Sequence, residues 1–218
     1  MTIRKIIGTS QEFAIGKIVC LARNYAEHAR ELGNETPAAP VLFMKPASSV
    51  IGDGDTVRIP AYSQECHYEV ELAVLIGVQA RNVAEDKALE CVAGYGVAID
   101  MTLRDVQNGL KAKGLPWEIA KGFDTACPLS DFVPAAVVAD PHALNLKLAV
   151  NGNQRQNGTT ADMIHRIAQI IAHISAIFTL EPGDVILTGT PAGVGQVSAG
   201  DVMTAEISAV GCLTIPVA

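Results

Sequence analysis

Short runs of valine, isoleucine and leucine, bounded by glycine, proline or aspartate, recur along the whole chain. Runs of this length and composition are typical of β-strands. From Val70 onward, one run is apolar apart from a single glutamate, which predicts a buried strand. The predicted strands are 3–7, 17–22, 41–44, 56–59, 68–77, 94–100, 144–150, 184–188 and 202–207.

Helical patterns are fewer. The longest, 160–178, repeats apolar residues at helical spacing. A short helix over 24–32 is predicted to start with Asn24 as its cap and to stop at Gly33. Two more are predicted at about 86–93 and from just after Thr102 to near Gly114. Because helices do not alternate regularly with strands, the order favours an α+β fold, a mixed β-roll or barrel-like structure with helices packed outside.

Three acidic residues stand at strand positions suited to metal binding. Glu69 and Glu71 are two apart on a predicted strand, so their side chains project from the same face, with roots roughly 7 Å apart. Asp100 ends the apolar strand 94–100. Paired carboxylates at the start of an apolar strand repel each other, and a divalent cation relieves that repulsion. Oxygen ligands alone select Mg²⁺ or Mn²⁺ over zinc.

A simpler interpretation of the same acids stays open. Glu69 and Glu71 could lie on a solvated face, with Asp100 capping the helix that follows. The E-x-E pattern alone is weak evidence for a metal, and the strand-end aspartate strengthens it.

Acid–base and anion-binding candidates lie elsewhere in the chain. His28 and Glu31 are three apart on the predicted short helix and share a face, as in a carboxylate-oriented general base, although an ordinary surface pair has the same spacing. The glycine-rich segment 187–195 lacks the lysine of a P-loop, and its backbone N–H groups and Thr190 hydroxyl suit a carboxylate better than a nucleotide. Further polar candidates are Arg23, Lys45, Arg104, Gln107 and Lys121.

Composition excludes several other classes of protein. The chain has 218 residues, 49% of them hydrophobic and 18% charged, as in a globular protein. Its net charge of -7, without a basic cluster, argues against nucleic acid as a partner. No run approaches the ~20 apolar residues of a membrane span, and the start of the chain does not resemble a signal peptide. The five cysteines are scattered, which favours buried free thiols in a reducing, cytoplasmic setting.

Seven stretches in order resemble the fumarylacetoacetate hydrolase superfamily, most closely its short acylpyruvase and oxaloacetate decarboxylase branch. They are RNYAEHARELG (23–33), PVLFMKPASSVIG (40–52), HYEVELAVLIG (67–77), GYGVAIDMTLRDVQ (94–107), KGLPWEIAKGFDTACPLS (113–130), LAVNGNQRQNG (148–158) and LEPGDVILTGTPAGVG (180–195).

The resemblance implies a role for most of the candidates. The metal ligands would be Glu69, Glu71 and Asp100. The catalytic group would comprise His28, Glu31, Lys121 and Gln107, and Arg104 and Thr190 would bind substrate. Arg23 and Lys45 join the substrate-binding group as polar candidates that the resemblance does not itself assign. The resemblance further implies Mg²⁺ or Mn²⁺, a β-roll fold, a homodimer, and one catalytic domain over 1–218 with the 24–32 helix as a lid.

The implied reaction is cleavage of the C–C bond of a 3-acylpyruvate, such as acetylpyruvate or fumarylpyruvate, to pyruvate and a carboxylic acid. Two alternatives use the same site: decarboxylation of oxaloacetate, and keto–enol tautomerisation of oxaloacetate. A more remote one is a protein that binds 2-oxo acids without turnover.

Overall fold

The structure is a computed structural model that describes residues 2–31, 33 and 37–218. The strands are β1 (Ile3–Lys5), β2 (Glu12–Ala14), β3 (Ile18–Ala22), β4 (Val41–Lys45), β5 (Val50–Ile51), β6 (Cys66–Tyr68), β7 (Val70–Ile76), β8 (Val92–Ile99), β9 (Thr102–Leu103), β10 (Cys127–Pro128), β11 (Val133–Pro134), β12 (Asn145–Val150), β13 (Asn153–Thr159), β14 (Val185–Leu187), β15 (Gly195–Val197), β16 (Val202–Ile207) and β17 (Gly211–Pro216). The α-helices are α1 (Ala26–Glu31), α2 (Arg104–Ala112), α3 (Glu118–Lys121) and α4 (Ile167–Ile177). Turns of 3₁₀-helix lie at Ala47–Ser49, Glu85–Cys91, Ala135–Val137 and Thr160–Asp162.

Sheets dominate the architecture. The largest has six strands in the order β11-β8-β7-β14-β3-β4, and a second has four in the order β13-β12-β16-β17. Smaller sheets are β15-β6-β9, β1-β2 and β10-β5. Within the described residues, none of these sheets closes into a barrel. The predicted mixed α+β fold is confirmed, with open sheets.

Strand β7 separates two apolar layers. Every residue of β7 is buried, and its side chains alternate between the faces of the sheet. Leu72 and Val74, on one face, belong to the larger hydrophobic cluster. Ala73 and Leu75, on the other face, belong to the smaller cluster. Glu71 lies two residues before Ala73, so its side chain is on the same face of the sheet as Ala73 and Leu75. Its carboxylate therefore lies at the margin of the smaller apolar layer.

Four strand ends meet at one edge of the largest sheet. Strand β14 runs parallel to β3 and antiparallel to β7, and β7 runs antiparallel to β8. The ends of β3, β14 and β8 and the start of β7 therefore lie side by side. Arg23, Thr190, Asp100 and Glu69 come from these four ends, so the topology itself assembles the predicted site.

Two of the predicted helices differ from the observed ones. Residues 85–91 form a 3₁₀-helix rather than an α-helix, and β8 begins immediately afterwards. The predicted helix 160–178 is interrupted, because the Asn24 side chain accepts the N–H of His165 at 2.8 Å and holds that residue in a loop. Asp162 and His165 thus lie outside α4.

The short helix near the start of the chain also differs in detail. Helix α1 begins at Ala26, and Asn24 donates to the carbonyl of Thr188 at 2.8 Å instead of capping it. The predicted end at Leu32 lies outside the described residues. Gly33 has a φ of 65°, which suits a residue just past a helix end.

One predicted strand is not a strand in the structure, and one observed strand was not predicted. Residues 56–59 form only an isolated bridge between Val57 and Val217, with three backbone hydrogen bonds that join Val57 and Ile59 to Pro216 and Ala218. Strand β13 was missed since its residues are almost all polar. The Asn151-Gly152 turn before it, with φ values of 51° and 77°, carries the sequence signal that could have found the hairpin.

Two further observations concern composition. The described cysteines are all free, and of these only Cys212 is exposed. Among the described residues, no helix has the length and apolar character that crossing a bilayer requires.

Candidate active site

Three carboxylates from neighbouring strand ends meet in the interior. Glu69 joins β6 to β7, Glu71 belongs to β7, and Asp100 follows β8. Their relative exposures are 5%, 1% and 0%. One oxygen from each lies within 4.8 Å of the others. This burial is incompatible with the solvated-face interpretation.

Two cations hold Glu69. Lys121 Nζ donates to Glu69 Oε2 at 2.9 Å and to Asp100 Oδ2 at 2.6 Å, and Arg104 donates to Glu69 Oε1 at 2.5 Å. Burial acts to raise the pKa of Glu69, but the charges of Lys121 and Arg104 outweigh it and hold that pKa well below its usual range. Glu69 is therefore ionised.

Glu71 has a different environment. It accepts the backbone N–H of Gly189 at 2.6 Å, and the described ion pairs give it no cation. Burial, followed by the charges of Asp100 and Glu69, raises its pKa well above the usual range.

A divalent cation fits this donor set. It would neutralise the one buried carboxylate of the three that lacks a positive partner among the described residues. Oxygen-only ligation from three carboxylates is the chemistry of Mg²⁺ and Mn²⁺. The residues present therefore suit such an ion.

Lys45 lies beneath the carboxylates rather than beside the cleft. It is 1% exposed, and its Nζ is 2.7 Å from Asp100 Oδ1. The same ammonium donates to the carbonyls of Met101 at 3.1 Å, Ala126 at 2.9 Å and Lys121. An ammonium with this many partners has no donor left for substrate.

His28 and Glu31 face the carboxylates from α1. Their Nδ1 and Oε2 atoms are 3.5 Å apart, and His28 is only 6% exposed. Glu31 also accepts the N–H of Gly193 at 3.1 and 3.2 Å, which joins the helix to the glycine-rich loop. Since His28 is buried in the cleft, the surface-pair interpretation does not hold.

A cleft of about 430 Å³, including its open mouth, unites these groups. Its lining residues are Leu21, Ala22, Arg23, His28, Phe43, Glu69, Glu71, Arg104, Gln107, Lys111, Trp117, Lys121 and Thr190. Gln107 accepts from Arg104 at 2.8 Å. The cleft thus collects the predicted catalytic and substrate-binding residues, with Glu31 just behind His28 and Lys45 outside the lining.

Comparison with known proteins identifies the family. The model of the family described as fumarylacetoacetate (FAA) hydrolase C-terminal matches residues 17–218. The chain belongs to this family.

Relatives within the fumarylacetoacetate hydrolase family share about half of the residues. The chain is 50% identical over 198 residues to oxaloacetate tautomerase YcgM of Escherichia coli (strain K12), covering 90% of each chain. It is 53% identical over 192 residues to the mitochondrial oxaloacetate tautomerase FAHD1 of Arabidopsis thaliana, covering 88% of this chain and 86% of the relative.

A solved structure within the family has nearly the same fold. It is fumarylpyruvate hydrolase from Pseudomonas aeruginosa in complex with Mn²⁺ and pyruvate. The TM-score is 0.94 at 37% identity, and the match covers 99% of this chain and 95% of that one.

One cleft residue of this family member was missed by sequence reasoning. Lys111 follows Arg104 and Gln107 at helical spacing on α2, so helix periodicity could have placed it on their face. Burial, and then the charges of Arg23 and Arg104, lower the pKa of Lys111. These three cations therefore crowd one wall of the cleft and favour an anionic ligand.

Proposed function

We propose that this protein is an oxaloacetate tautomerase that interconverts the enol and keto forms of oxaloacetate. The observation that carries the proposal is a cleft that contains both a cluster of carboxylates and a group of positively charged side chains. A buried carboxylate triad suited to Mg²⁺ or Mn²⁺ shares the cleft with the cations Arg23, Arg104 and Lys111, of which Arg104 also binds Glu69. A small dicarboxylate with a 2-oxo group matches both. The relatives named oxaloacetate tautomerase support this reaction over hydrolysis of a C–C bond, which was the main reaction predicted from the sequence.

In this proposal, Glu69, Glu71 and Asp100 hold the divalent cation. When bound, the ion would supply Lewis-acid polarisation of the 2-oxo and 1-carboxylate oxygens. Arg104 and Arg23 bind carboxylate oxygens, because a guanidinium matches a carboxylate in geometry and charge. The partly enclosed cleft limits the access of water to the substrate.

The reaction moves one proton and breaks no carbon–carbon bond, because the C2=C3 double bond of the enol becomes a single bond as C2–OH becomes C2=O. Towards the keto form, the hydroxyl on C2 loses its proton and C3 gains one. His28, oriented by Glu31, is the proposed acid–base group. Lys121, whose three N–H donors go to Glu69, Asp100 and Thr102, places its positive charge beside the oxygen on C2 as the charge of that oxygen changes. No water is consumed and no carbon dioxide leaves.

The direct test follows the enol band of oxaloacetate by ultraviolet absorbance. We expect the Mn²⁺-loaded protein to accelerate its decay, a chelator to abolish that effect, and Mn²⁺ to restore it. Glu69→Ala should lose Mn²⁺ binding and turnover together, whereas the exposed Glu206→Ala should retain both. Unchanged activity in the metal-stripped protein would contradict the scheme.

Hydrolysis of 3-acylpyruvates is the second candidate. It is favoured by His28 and Glu31, whose arrangement suits activation of water, and by the apolar wall of Leu21, Phe43 and Trp117. The similarity to fumarylpyruvate hydrolase points the same way. Water would add across the C–C bond to give pyruvate and a carboxylic acid. Acetylpyruvate turnover exceeding the tautomerase rate would reverse the order of the two candidates.

Assembly and domain organisation belong to the same proposal. We propose that residues 1–218 act as one catalytic domain with α1 as its lid, in a homodimer. Light scattering of the purified protein measures the assembly, and a monomeric mass would contradict it.

A further inference from the structure

Strand β13 contributes a buried glutamine that lies at the back of the cleft. Gln156 is 0% exposed, although its neighbours on the strand are polar and mostly exposed. A buried amide needs partners for its oxygen and for both N–H groups, because an unpaired polar group in the interior is costly. All three partners of Gln156 are present.

The partners fix which way the amide faces. Its Oε1 accepts the backbone N–H of Val70 at 3.0 Å, and a backbone N–H can only donate. Its Nε2 donates to the carbonyl of Pro191 at 2.9 Å, and a carbonyl can only accept. The remaining N–H therefore goes to Thr190 Oγ1, which lies at 2.8 Å.

Each end of this amide reaches a different part of the site. Val70 separates Glu69 from Glu71, so its N–H position sets the backbone from which both carboxylates project. Thr190 lines the cleft. Since its oxygen already accepts from Gln156, its hydroxyl hydrogen remains available to donate into the cleft.

We propose that Gln156 is a positioning residue that couples the Glu69–Glu71 strand to Thr190 and sets the Thr190 hydroxyl as a donor to an anionic oxygen of the substrate. The role of that oxygen in turnover rests on the proposed function. The binding of Mn²⁺ and of pyruvate does not require turnover.

Two variants separate the two ends of the amide. Gln156→Met preserves length but removes all three hydrogen bonds, to Val70, Thr190 and Pro191. Gln156→Glu keeps an oxygen for the Val70 N–H. The second oxygen of an ionised carboxylate has no hydrogen for the Pro191 carbonyl and turns the Thr190 hydroxyl towards itself as a donor. Gln154→Met is the matched control, because Gln154 is an exposed glutamine on the same strand.

The experiment measures Mn²⁺ binding alone by calorimetry, and then pyruvate binding at saturating Mn²⁺. We expect Gln156→Met to weaken both, each by about 5- to 10-fold, the worth of one buried hydrogen bond. Gln156→Glu should leave the Kd for Mn²⁺ within about 2-fold and weaken pyruvate by about 10-fold. Gln154→Met should match the wild type in both.

A double-mutant cycle tests the coupling itself. If Gln156 acts on the ligand through Thr190, the losses from Gln156→Glu and Thr190→Val should not add for pyruvate. Additive losses would overturn the proposal, as would variants that only lower Tm while binding both ligands normally. Should Gln156→Met fail to fold, Gln156→Glu and the cycle still decide.

The outcome distinguishes this coupling from the proposed reaction. A protein that shows the expected binding pattern but leaves oxaloacetate unchanged supports the coupling and contradicts the tautomerase. A wild-type protein that binds no Mn²⁺ contradicts both.

Discussion

Lys45 and Asp100 form an ion pair in which both side chains are almost entirely buried, with Nζ 2.7 Å from Oδ1. The lysine comes from the end of β4 and the aspartate follows β8, so the pair joins two strands of the largest sheet. As a polar candidate, Lys45 was predicted to bind substrate. Its position below the carboxylates instead suits support of Asp100.

Lys45→Met should destabilise the protein. The change retains the length of the side chain but removes the charge and the hydrogen bonds to the carbonyls of Met101, Lys121 and Ala126. Breaking a buried pair by removing one partner costs about 3 kcal/mol or more. Urea unfolding should show a lower midpoint, whereas Lys87→Met, at an exposed pair with Glu90, should leave it unchanged. A raised KM with an unchanged midpoint would restore the substrate role.

Glu71→Gln and Glu69→Gln should change the metal-free stability in opposite directions. The raised pKa of Glu71 means that its ionised form is disfavoured in the folded protein, so a neutral amide should raise Tm at pH 7. The depressed pKa of Glu69 contributes stability at every pH above its unfolded value, and Glu69→Gln should lower Tm.

The same pair of variants tests the metal. Wild-type Tm should rise with Mn²⁺, because a ligand that binds only the folded state stabilises it. Both variants should lose most of that rise. Thermal unfolding with and without Mn²⁺ gives both results, and equal shifts of the two metal-free variants would refute the assigned charge states.

His28→Asn should separate decarboxylation of oxaloacetate from the two reactions that need an acid–base group. Loss of a general acid–base group costs about 100-fold or more, so tautomerisation of oxaloacetate and hydrolysis of acetylpyruvate should both fall. Decarboxylation needs no activated water and should fall less. His173→Asn, on α4, is the control. Full tautomerase activity in His28→Asn would transfer the proton role to another group, with Lys121 the nearest candidate.

Arg23→Gln should discriminate between substrates by charge. Arg23 lines the cleft with Arg104 and Lys111, where a second carboxylate would bind. We expect KM to rise about 10-fold for oxaloacetate, the worth of a charged hydrogen bond, and less for acetylpyruvate, whose tail is neutral. Arg30→Gln, an exposed arginine on α1, should change neither value. Equal effects on both substrates would exclude a carboxylate-specific role.

Strand periodicity could predict that the carboxylates lie together, but only the structure excludes the solvated-face interpretation. Glu69 and Glu71 share a face because side chains alternate along a strand, and Asp100 ends the strand that pairs with theirs. The apolar content of these strands also signalled their burial. The local pattern was sufficient to group these three residues because β7 and β8 are antiparallel neighbours.

The rest of the cleft depends on long-range pairing that no local pattern encodes. Arg23 and Thr190 meet only because β3 and β14 pair in parallel. The buried state of Lys45 depends on three carbonyls from separate segments. Gln156 lies on a strand whose polar sequence gives no periodic signal.

The parallel pairing of β3 with β14 also bears on how the protein folds. Strands β7 and β8 are close in sequence, so the part of the site that carries the carboxylates can form with little loss of chain entropy. Strands β3 and β14 come from opposite ends of the chain, and bringing them together closes a very long loop. Contacts of such high sequence separation slow folding. During synthesis, the strands that carry Glu69, Glu71 and Asp100 can therefore pair first, whereas the Gly189 N–H that Glu71 accepts and the Thr190 hydroxyl arrive only with the last third of the chain.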